Sequence, residues 1–226
     1  MKRIVVAGVM ASLLVSVVVA QETVLDLPFD DANGIKDQSE IHNITEARNA
    51  IVKDGALQLS GKRSYINCGK NESLDIGTED MTIIVKFKLA PKQPERSGLV
   101  SKGAGGPTQS GYAFMYRVPK KAFYFYVGNG KTRSIFQSKT DDLNDGKWHT
   151  VAVSLSRQLE VIFALDGKIR GVRKENTIPA DNISNPTQNL LIGSWSEAHC
   201  LNGSIKDVKI FKTAFTEDKL KDMTKR

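Results

Sequence analysis

The feature that most constrains the fold is a strict alternation of apolar and polar residues in the second half of the chain. Residues 144–171 read NDGKWHTVAVSLSRQLEVIFALDGKIRG. Residues 151–155 and 159–165 each place their valine, leucine and phenylalanine side chains on one face of an extended chain. This period of two predicts two half-buried strands. Asp166-Gly167 is a dipeptide that tight hairpin turns prefer, so a third strand should follow it directly.

The same pattern recurs in short segments that are bounded by Gly, Pro, Asn or Asp: MTIIVKFKL, YAFMYRV, AFYFYVGNG, NLLIGSW and SIKDVKIF. Many short strands with almost no helical periodicity predict an all-β protein, a two-sheet antiparallel β-sandwich of the jelly-roll type. In the last segment Ile205 is out of phase with Val208 and Ile210. A β-bulge near residues 206–207 would let both sets face the core.

One short helical turn is expected near the C terminus. In the segment TEDKLKDM, Thr216 can cap a helix, and Glu217 and Asp218 lie where the helix dipole favours negative charge.

Residues 1–20 predict a cleaved secretory signal, because Lys2 and Arg3 precede an apolar run that ends in Val-Val-Ala. A retained membrane anchor is the alternative, but no second basic flank follows the run. We therefore expect a single domain over residues 21–226. The mature protein should be secreted, periplasmic or on the cell surface, with no membrane span after cleavage of the signal.

The charge pattern argues against a nucleic-acid partner. The formal net charge of +7 falls to +5 once Lys2 and Arg3 leave with the signal, and the remaining basic residues alternate with acidic ones. Proteins that bind nucleic acids concentrate basic residues on one face. Here only the tail KLKDMTKR is densely basic.

Three segments carry a family resemblance: DGKWHTVAV, the LDGK hairpin, and NGSIKDVKIF followed by a capped helical turn. Together and in this order they resemble the laminin G-like jelly-roll domains of the concanavalin A-like lectin/glucanase superfamily, over residues 24–222. The resemblance implies that Trp148 is a core residue at the start of a strand. Lectins, adhesion modules and glycoside hydrolases share this fold, so the resemblance alone does not assign a function.

Enzymes of this superfamily usually carry the strand motif Glu-x-Asp-x-x-Glu, which the sequence lacks. The adjacent pairs Asp30-Asp31 and Asp141-Asp142 would point to opposite sides of a strand. The leading hypothesis is therefore an exported, non-catalytic carbohydrate-binding or adhesion module, whose partner is a glycan or a glycosylated surface. A glycoside hydrolase with carboxylates on its loops stays open, as does a structural domain that binds a protein partner.

Aromatic rings are the candidate sugar contacts, namely Trp195, Tyr112, Tyr116, Tyr124 and Tyr126. Trp195 lies in the segment GSWSEAHCLNG, which we interpret as a loop, where binding residues concentrate. Tyr124 and Tyr126 share one face of their strand, while Phe123 and Phe125 share the other. A packing role for these rings is the alternative.

The resemblance also implies a calcium site, because some relatives hold the ion between the first and last strands. On this sequence the ligands would be Asp30, a backbone carbonyl near Gly34, and Asp207. Such hard oxygen ligands suit calcium. Alternatively, Asp207 pairs with a neighbouring lysine or faces water.

Cys68 and Cys200 would form a disulfide in an exported protein, or remain two buried thiols. Four formal glycosylation motifs, which we interpret as markers of surface turns, begin at Asn43, Asn71, Asn182 and Asn202.

Overall fold

The computed structural model describes residues 22–103, 106, 109–157, 160–173 and 181–225, and the side chains of residues 172 and 173 are not part of the description. The expected secretory signal lies outside these residues. Almost all of the regular structure is β-strand, in two sheets whose pairings are antiparallel with one exception. The prediction of an all-β antiparallel sandwich is therefore confirmed.

In chain order the first ten strands are β1 (Thr23–Pro28), β2 (Glu46–Arg48), β3 (Ile51–Lys53), β4 (Ala56–Ser60), β5 (Tyr65–Asn67), β6 (Met81–Leu89), β7 (Arg96–Gly103), β8 (Ser110–Arg117), β9 (Ala122–Asn129) and β10 (Arg133–Lys139). The remaining strands are β11 (His149–Ser156), β12 (Glu160–Leu165), β13 (Lys168–Arg173), β14 (Leu191–Ile192), β15 (Ser194–Trp195), β16 (His199–Cys200) and β17 (Asn202–Phe211). Two 3-10 turns span Glu72–Leu74 and Val118–Lys120, and helix α1 spans Glu217–Met223.

The eight-stranded sheet has the order β13-β12-β11-β6-β17-β4-β3, and β1 also pairs with β17. The nine-stranded sheet has the order β10-β9-β8-β7-β14-β5-β2. The small hairpin of β15 and β16 joins it, because Cys200 pairs in parallel with Gly98 of β7. Side chains from the inner faces of both sheets form one large apolar cluster between them.

Strand β17 contains the expected bulge. Its register against β6 shifts between Ile205 and Asp207, and the Lys206 carbonyl accepts a hydrogen bond from the backbone amide of Phe29. Because of this shift, Ile205 and Val208 both reach the core between the sheets. The change of phase in the sequence is therefore explained by a β-bulge, as predicted.

Strands β11 and β12 are buried on both faces, which differs from the half-buried strands that we expected. Their outward residues Ala152, Ile162 and Ala164 form a second apolar cluster with Phe215 and Leu220. Helix α1, capped by the Thr216 hydroxyl as predicted, supplies Leu220. The small alanines let the helix approach the sheet, and the helix removes this outer face from solvent.

The hairpin after β12 has the predicted turn, with positive φ angles of 50° at Asp166 and 75° at Gly167. Asp166 also accepts a hydrogen bond from the backbone amide of Thr150. His149 is buried, and its two ring nitrogens contact carboxylates at 2.8 Å and 3.0 Å. Trp148 is only half-buried, so the expectation of a core tryptophan was wrong: the next residue, His149, takes the buried position.

Candidate functional site

Four aromatic side chains form a continuous stack on the outer face of the nine-stranded sheet. The aromatic row consists of Tyr124, Tyr126, Trp195 and His199. Neighbouring ring centroids are 6.2 Å, 5.7 Å and 5.2 Å apart along this order, and the planes of neighbouring rings differ by only 15° to 28°. Tyr126 and Trp195 are 7% exposed, whereas Tyr124 and His199 are partly exposed.

Strand alternation places the two tyrosines of the row. In β9, Phe123 and Phe125 face the core, while Tyr124 and Tyr126 pack on the other side with Met115 of β8. This confirms the prediction that the two tyrosines share a face.

The hairpin of β15 and β16 brings Trp195 and His199 to the same face, where the two residues pair across the hairpin. Trp195 therefore lies in a short strand and not in a loop, which corrects our interpretation of its segment. The hairpin passes close to Gly98 of β7: a Cβ atom at Gly98 would lie 2.2 Å from the backbone nitrogen of Trp195. A glycine at this position allows the close approach.

A guanidinium group covers each of three rings in the row. The distances from guanidinium carbon to ring centroid are 5.2 Å for Arg117 and Tyr124, 5.2 Å for Arg133 and Tyr126, and 5.5 Å for Arg96 and Trp195. We call these three residues the arginine layer. Arginine stacks on aromatic faces through its planar guanidinium, so the geometry is that of cation–π contacts.

Strand register explains why two of these arginines meet. Arg96 and Arg117 lie directly opposite each other in the pairing of β7 with β8. Glu95 stands between them: Arg117 donates a hydrogen bond of 2.6 Å to its carboxylate, and the Arg96 nitrogen is 4.0 Å away. The hydrogen bond from Arg117 lowers the pKa of Glu95. Glu95 thus offsets part of the repulsion between the two cations.

The arginine charges act on the row itself. Burial raises the pKa of Tyr126, and the charges of Arg117, Arg133 and Arg96 oppose this rise. Burial together with the charge of Arg96 lowers the pKa of His199, which favours the neutral imidazole at pH 7.

Two buried nitrogen atoms at this surface have no hydrogen-bond partner within the described structure: Nε1 of Trp195 and Nε of Arg117. Both groups can donate a hydrogen bond, and neither can accept one.

A polar cleft of about 570 Å³ adjoins the row, beginning at the turn between β15 and β16. Its lining consists of Arg48, Asn49, Arg63, Tyr65, Ser196, Glu197 and Ala198. Arg48 and Arg63 are exposed to solvent. Burial and then the charge of Glu197 raise the pKa of Tyr65, so the phenol stays protonated. The cleft therefore adds two cations, one carboxylate and a neutral phenol beside the row.

Tyr112 and Tyr116 do not belong to this surface, which corrects their assignment as candidate ligand contacts. Both rings are at most 1% exposed and lie in the core between the sheets. The Tyr112 hydroxyl donates a hydrogen bond to the Leu74 carbonyl, which satisfies it in the interior. Strand β8 places these tyrosines inside and Ala113 and Met115 outside.

The expected metal ligands Asp30 and Asp207 come from neighbouring strands, because Asp207 of β17 pairs with Pro28 at the end of β1. The Asp30 carboxylate accepts hydrogen bonds from Asn33, which lower its pKa, and the Asp30 carbonyl accepts one from Gly34 in the same turn. Asp207 lies near Lys86 and Lys209 in a small pocket on the eight-stranded sheet. Burial raises its pKa, and its Oδ1 is buried without a hydrogen-bond partner. No group of three His, Cys, Asp or Glu side chains within the described residues could hold a metal ion, and calcium stays a prediction.

The cysteines are both buried and both free thiols, so the expected disulfide is not formed. Cys68 belongs to the core between the sheets, whereas Cys200 packs with Tyr65 and Leu191 in a separate cluster. Burial raises the pKa of the Cys68 thiol.

One glycosylation motif does not mark an exposed turn. Asn43 is 5% exposed, and its side-chain amide donates to the Val24 carbonyl and to Asp37. Asn71, Asn182 and Asn202 are exposed or partly exposed.

A family profile described as "Laminin_G_3: Concanavalin A-like lectin/glucanases superfamily" matches residues 60–221. The chain belongs to this superfamily. No curated protein matches the sequence significantly. No helix within the described residues is long and apolar enough to cross a bilayer.

Several solved structures resemble this superfamily member. One is the binding domain of Paraclostridial Mosquitocidal Protein 1, with 15% sequence identity and a TM-score of 0.71. The match covers 89% of this chain and 51% of that chain. The receptor-binding domain of botulinum neurotoxin D has 14% identity, a TM-score of 0.66, and coverage of 89% and 52%. The CBM40 of Ruminococcus gnavus IT-sialidase, solved with α2,3-sialyllactose, has 16% identity, a TM-score of 0.54, and coverage of 66% and 83%. This chain therefore spans about half the length of the two toxin domains. At such identities the likeness shows the fold.

Proposed function

We propose that the protein is an exported, non-catalytic module that binds a glycan or a glycosylated surface through the outer face of its nine-stranded sheet. The observation that carries the proposal is the aromatic row beneath the arginine layer. Three strand segments, β8, β9 and the β15–β16 hairpin, converge to build it. Export rests on the basic and apolar pattern of residues 1–20.

The two outer faces of the sandwich differ in a way that favours this surface. Helix α1 covers the outer face of β11 and β12 with Leu220. No such helix lies over the aromatic row within the described residues. The row instead carries the arginine layer and borders a cleft of about 570 Å³. Binding surfaces combine apolar or aromatic walls with a few precisely placed polar groups, and the row and its arginines provide both.

Carboxylate chemistry at this surface supports a non-catalytic role. A retaining glycosidase needs two carboxyl groups about 5 Å apart, one of them with a raised pKa. Glu95, the carboxylate at the arginine layer, has a lowered pKa and an ion pair with Arg117. Such a group is a poor proton donor at neutral pH. A hydrolase with carboxylates elsewhere would release products from oligosaccharides, which the same preparations can test.

The ligands of structurally similar proteins support a glycan as the ligand class. The CBM40 was solved bound to α2,3-sialyllactose, and cell entry of botulinum neurotoxin type C depends on interaction with two ganglioside molecules. The binding domain of botulinum neurotoxin DC was solved in complex with rat synaptotagmin II. A protein partner is therefore the alternative that a binding experiment must separate from a glycan.

The test is binding of residues 21–226 to a broad glycan array, with and without calcium. We expect Tyr124→Ala to weaken binding, because Tyr124 is the partly exposed tyrosine of the row and lies under Arg117. Trp148→Ala is the matched control: Trp148 also carries a cation, Lys88 at 5.0 Å, but lies outside the row. Folded protein that binds no glycan on the array would refute the proposal.

A further inference from the structure

We infer that this surface recognises an anionic group of the glycan, a carboxylate or a sulfate, and that the arginine layer holds it. The inference rests on the proposed function and specifies the ligand. The rings of the aromatic row would then serve mainly to position the guanidinium groups. The glycan would contact the arginines rather than the rings beneath them.

The positions of the arginines fit an anionic ligand. Arg96, Arg117 and Arg133 each place the guanidinium carbon 5.2 Å to 5.5 Å from a ring centroid, within the range of a cation–π contact. Such a contact restricts where the guanidinium group lies, and guanidinium N–H donors bind carboxylate and sulfate oxygens in pairs.

The balance of charge between Arg96 and Arg117 also favours an anion. These two residues are paired across adjacent strands and share the carboxylate of Glu95. Two positive charges therefore lie beside one negative charge. Like charges that lie directly opposite in a sheet are unfavourable. A second anion placed by the ligand would complete the neutralisation.

The adjoining cleft extends the same chemistry. Its lining includes Ser196, which directly follows Trp195, together with Arg48 and Arg63. A glycan that lies along the row and carries more than one acidic group could reach these arginines as well. Binding of an extended acidic glycan should therefore exceed that of a single acidic sugar.

The experiment is calorimetric titration of the folded protein with matched glycans. Lactose and α2,3-sialyllactose differ by one acidic sugar, and a neutral oligosaccharide and its sulfated form make a second pair. We expect the acidic member of at least one pair to bind roughly ten-fold tighter or more, as for one charge-assisted hydrogen bond. The pair that responds identifies carboxylate or sulfate as the source. Affinity should also fall as salt is raised.

Variants of single arginines test whether the arginine layer is the site that binds the acidic group. Arg117→Gln and, separately, Arg96→Gln should each lower affinity for the acidic glycan by roughly ten-fold. Arg170→Gln is the control, because Arg170 lies in β13 of the other sheet, in an ion pair with Asp141. A thermal melt of each variant verifies that it is folded, and the comparison of glycan pairs on the unaltered protein does not depend on any variant.

The outcomes separate this inference from the proposed function. If neutral glycans bind as tightly as their acidic partners, the inference is wrong and the glycan-binding function stands. If acidic glycans bind more tightly but both arginine variants match Arg170→Gln, the anion is held elsewhere and the inference is also wrong. If neither kind of glycan binds, the proposed function fails together with the inference.

Discussion

The fit between Gly98 and the β15–β16 hairpin makes a sharp prediction about how the aromatic row is positioned. In Gly98→Ala the added Cβ would lie 2.2 Å from the Trp195 nitrogen and 2.3 Å from the Ser194 carbonyl carbon, where 3.4 Å is an ordinary contact. The hairpin must therefore move by about 1 Å, which typically costs about 1 to 3 kcal/mol for a methyl group forced into a well-packed site. We expect a lower free energy of unfolding and weaker glycan binding together.

The assay is urea unfolding followed by tryptophan fluorescence, in a Trp148→Phe background so that Trp195 is the reporter. Gly106→Ala is the matched control: its Cβ would have no neighbour closer than 3.6 Å. Neither glycine has a positive φ, so the comparison isolates the steric effect. If Gly98→Ala has the stability and the emission spectrum of Gly106→Ala, the close approach of the hairpin to β7 is not real.

Three further predictions concern the rest of the sandwich. Leu220→Ala should lower the free energy of unfolding in urea by about 2 to 5 kcal/mol, because the helix loses its buried anchor. Lys219→Ala should lower it by about 1 kcal/mol or less, because the exposed Lys219 loses only its contact with the Phe215 ring. Burial raises the pKa of Asp207 in the folded state, so ionisation of this carboxyl destabilises the fold as the pH rises above the ordinary carboxyl range. The stability of Asp207→Asn in urea, relative to that of the unaltered protein, should therefore increase from about pH 4 to about pH 8. A reducing agent should leave the melting temperature unchanged, since Cys68 and Cys200 are free.

The fold could be predicted from the sequence because the alternation of apolar and polar residues is a local property of each strand. The hairpin turn at Asp166-Gly167 and the bulge after Ile205 both follow from neighbouring residues, and the structure confirms both. The cover on the outer face of β11 and β12 was not predicted. Outward-facing Ala152 and Ala164 were nevertheless a signal, because such small apolar residues leave room for another element on that face.

The site could be predicted only in part, because the alternation of one strand does not say which of its faces is buried. Tyr112 and Tyr124 both occupy alternating aromatic strands, yet cross-strand packing puts the first in the core and the second outside. The arginine layer was missed for a different reason. Arg96 and Arg117 are 21 positions apart in the sequence, and they become neighbours only through the register of β7 and β8.

The position of β17 in the eight-stranded sheet has a consequence for how the chain is made. This strand pairs with β6, β4 and β1, and Phe211 lies opposite Thr23. The ribosome must therefore release nearly all of the described chain before the centre of that sheet can form. Until then β4 and β6 expose unpaired edges, which are prone to aggregate. The nascent protein should thus be most prone to aggregate until β17 has emerged.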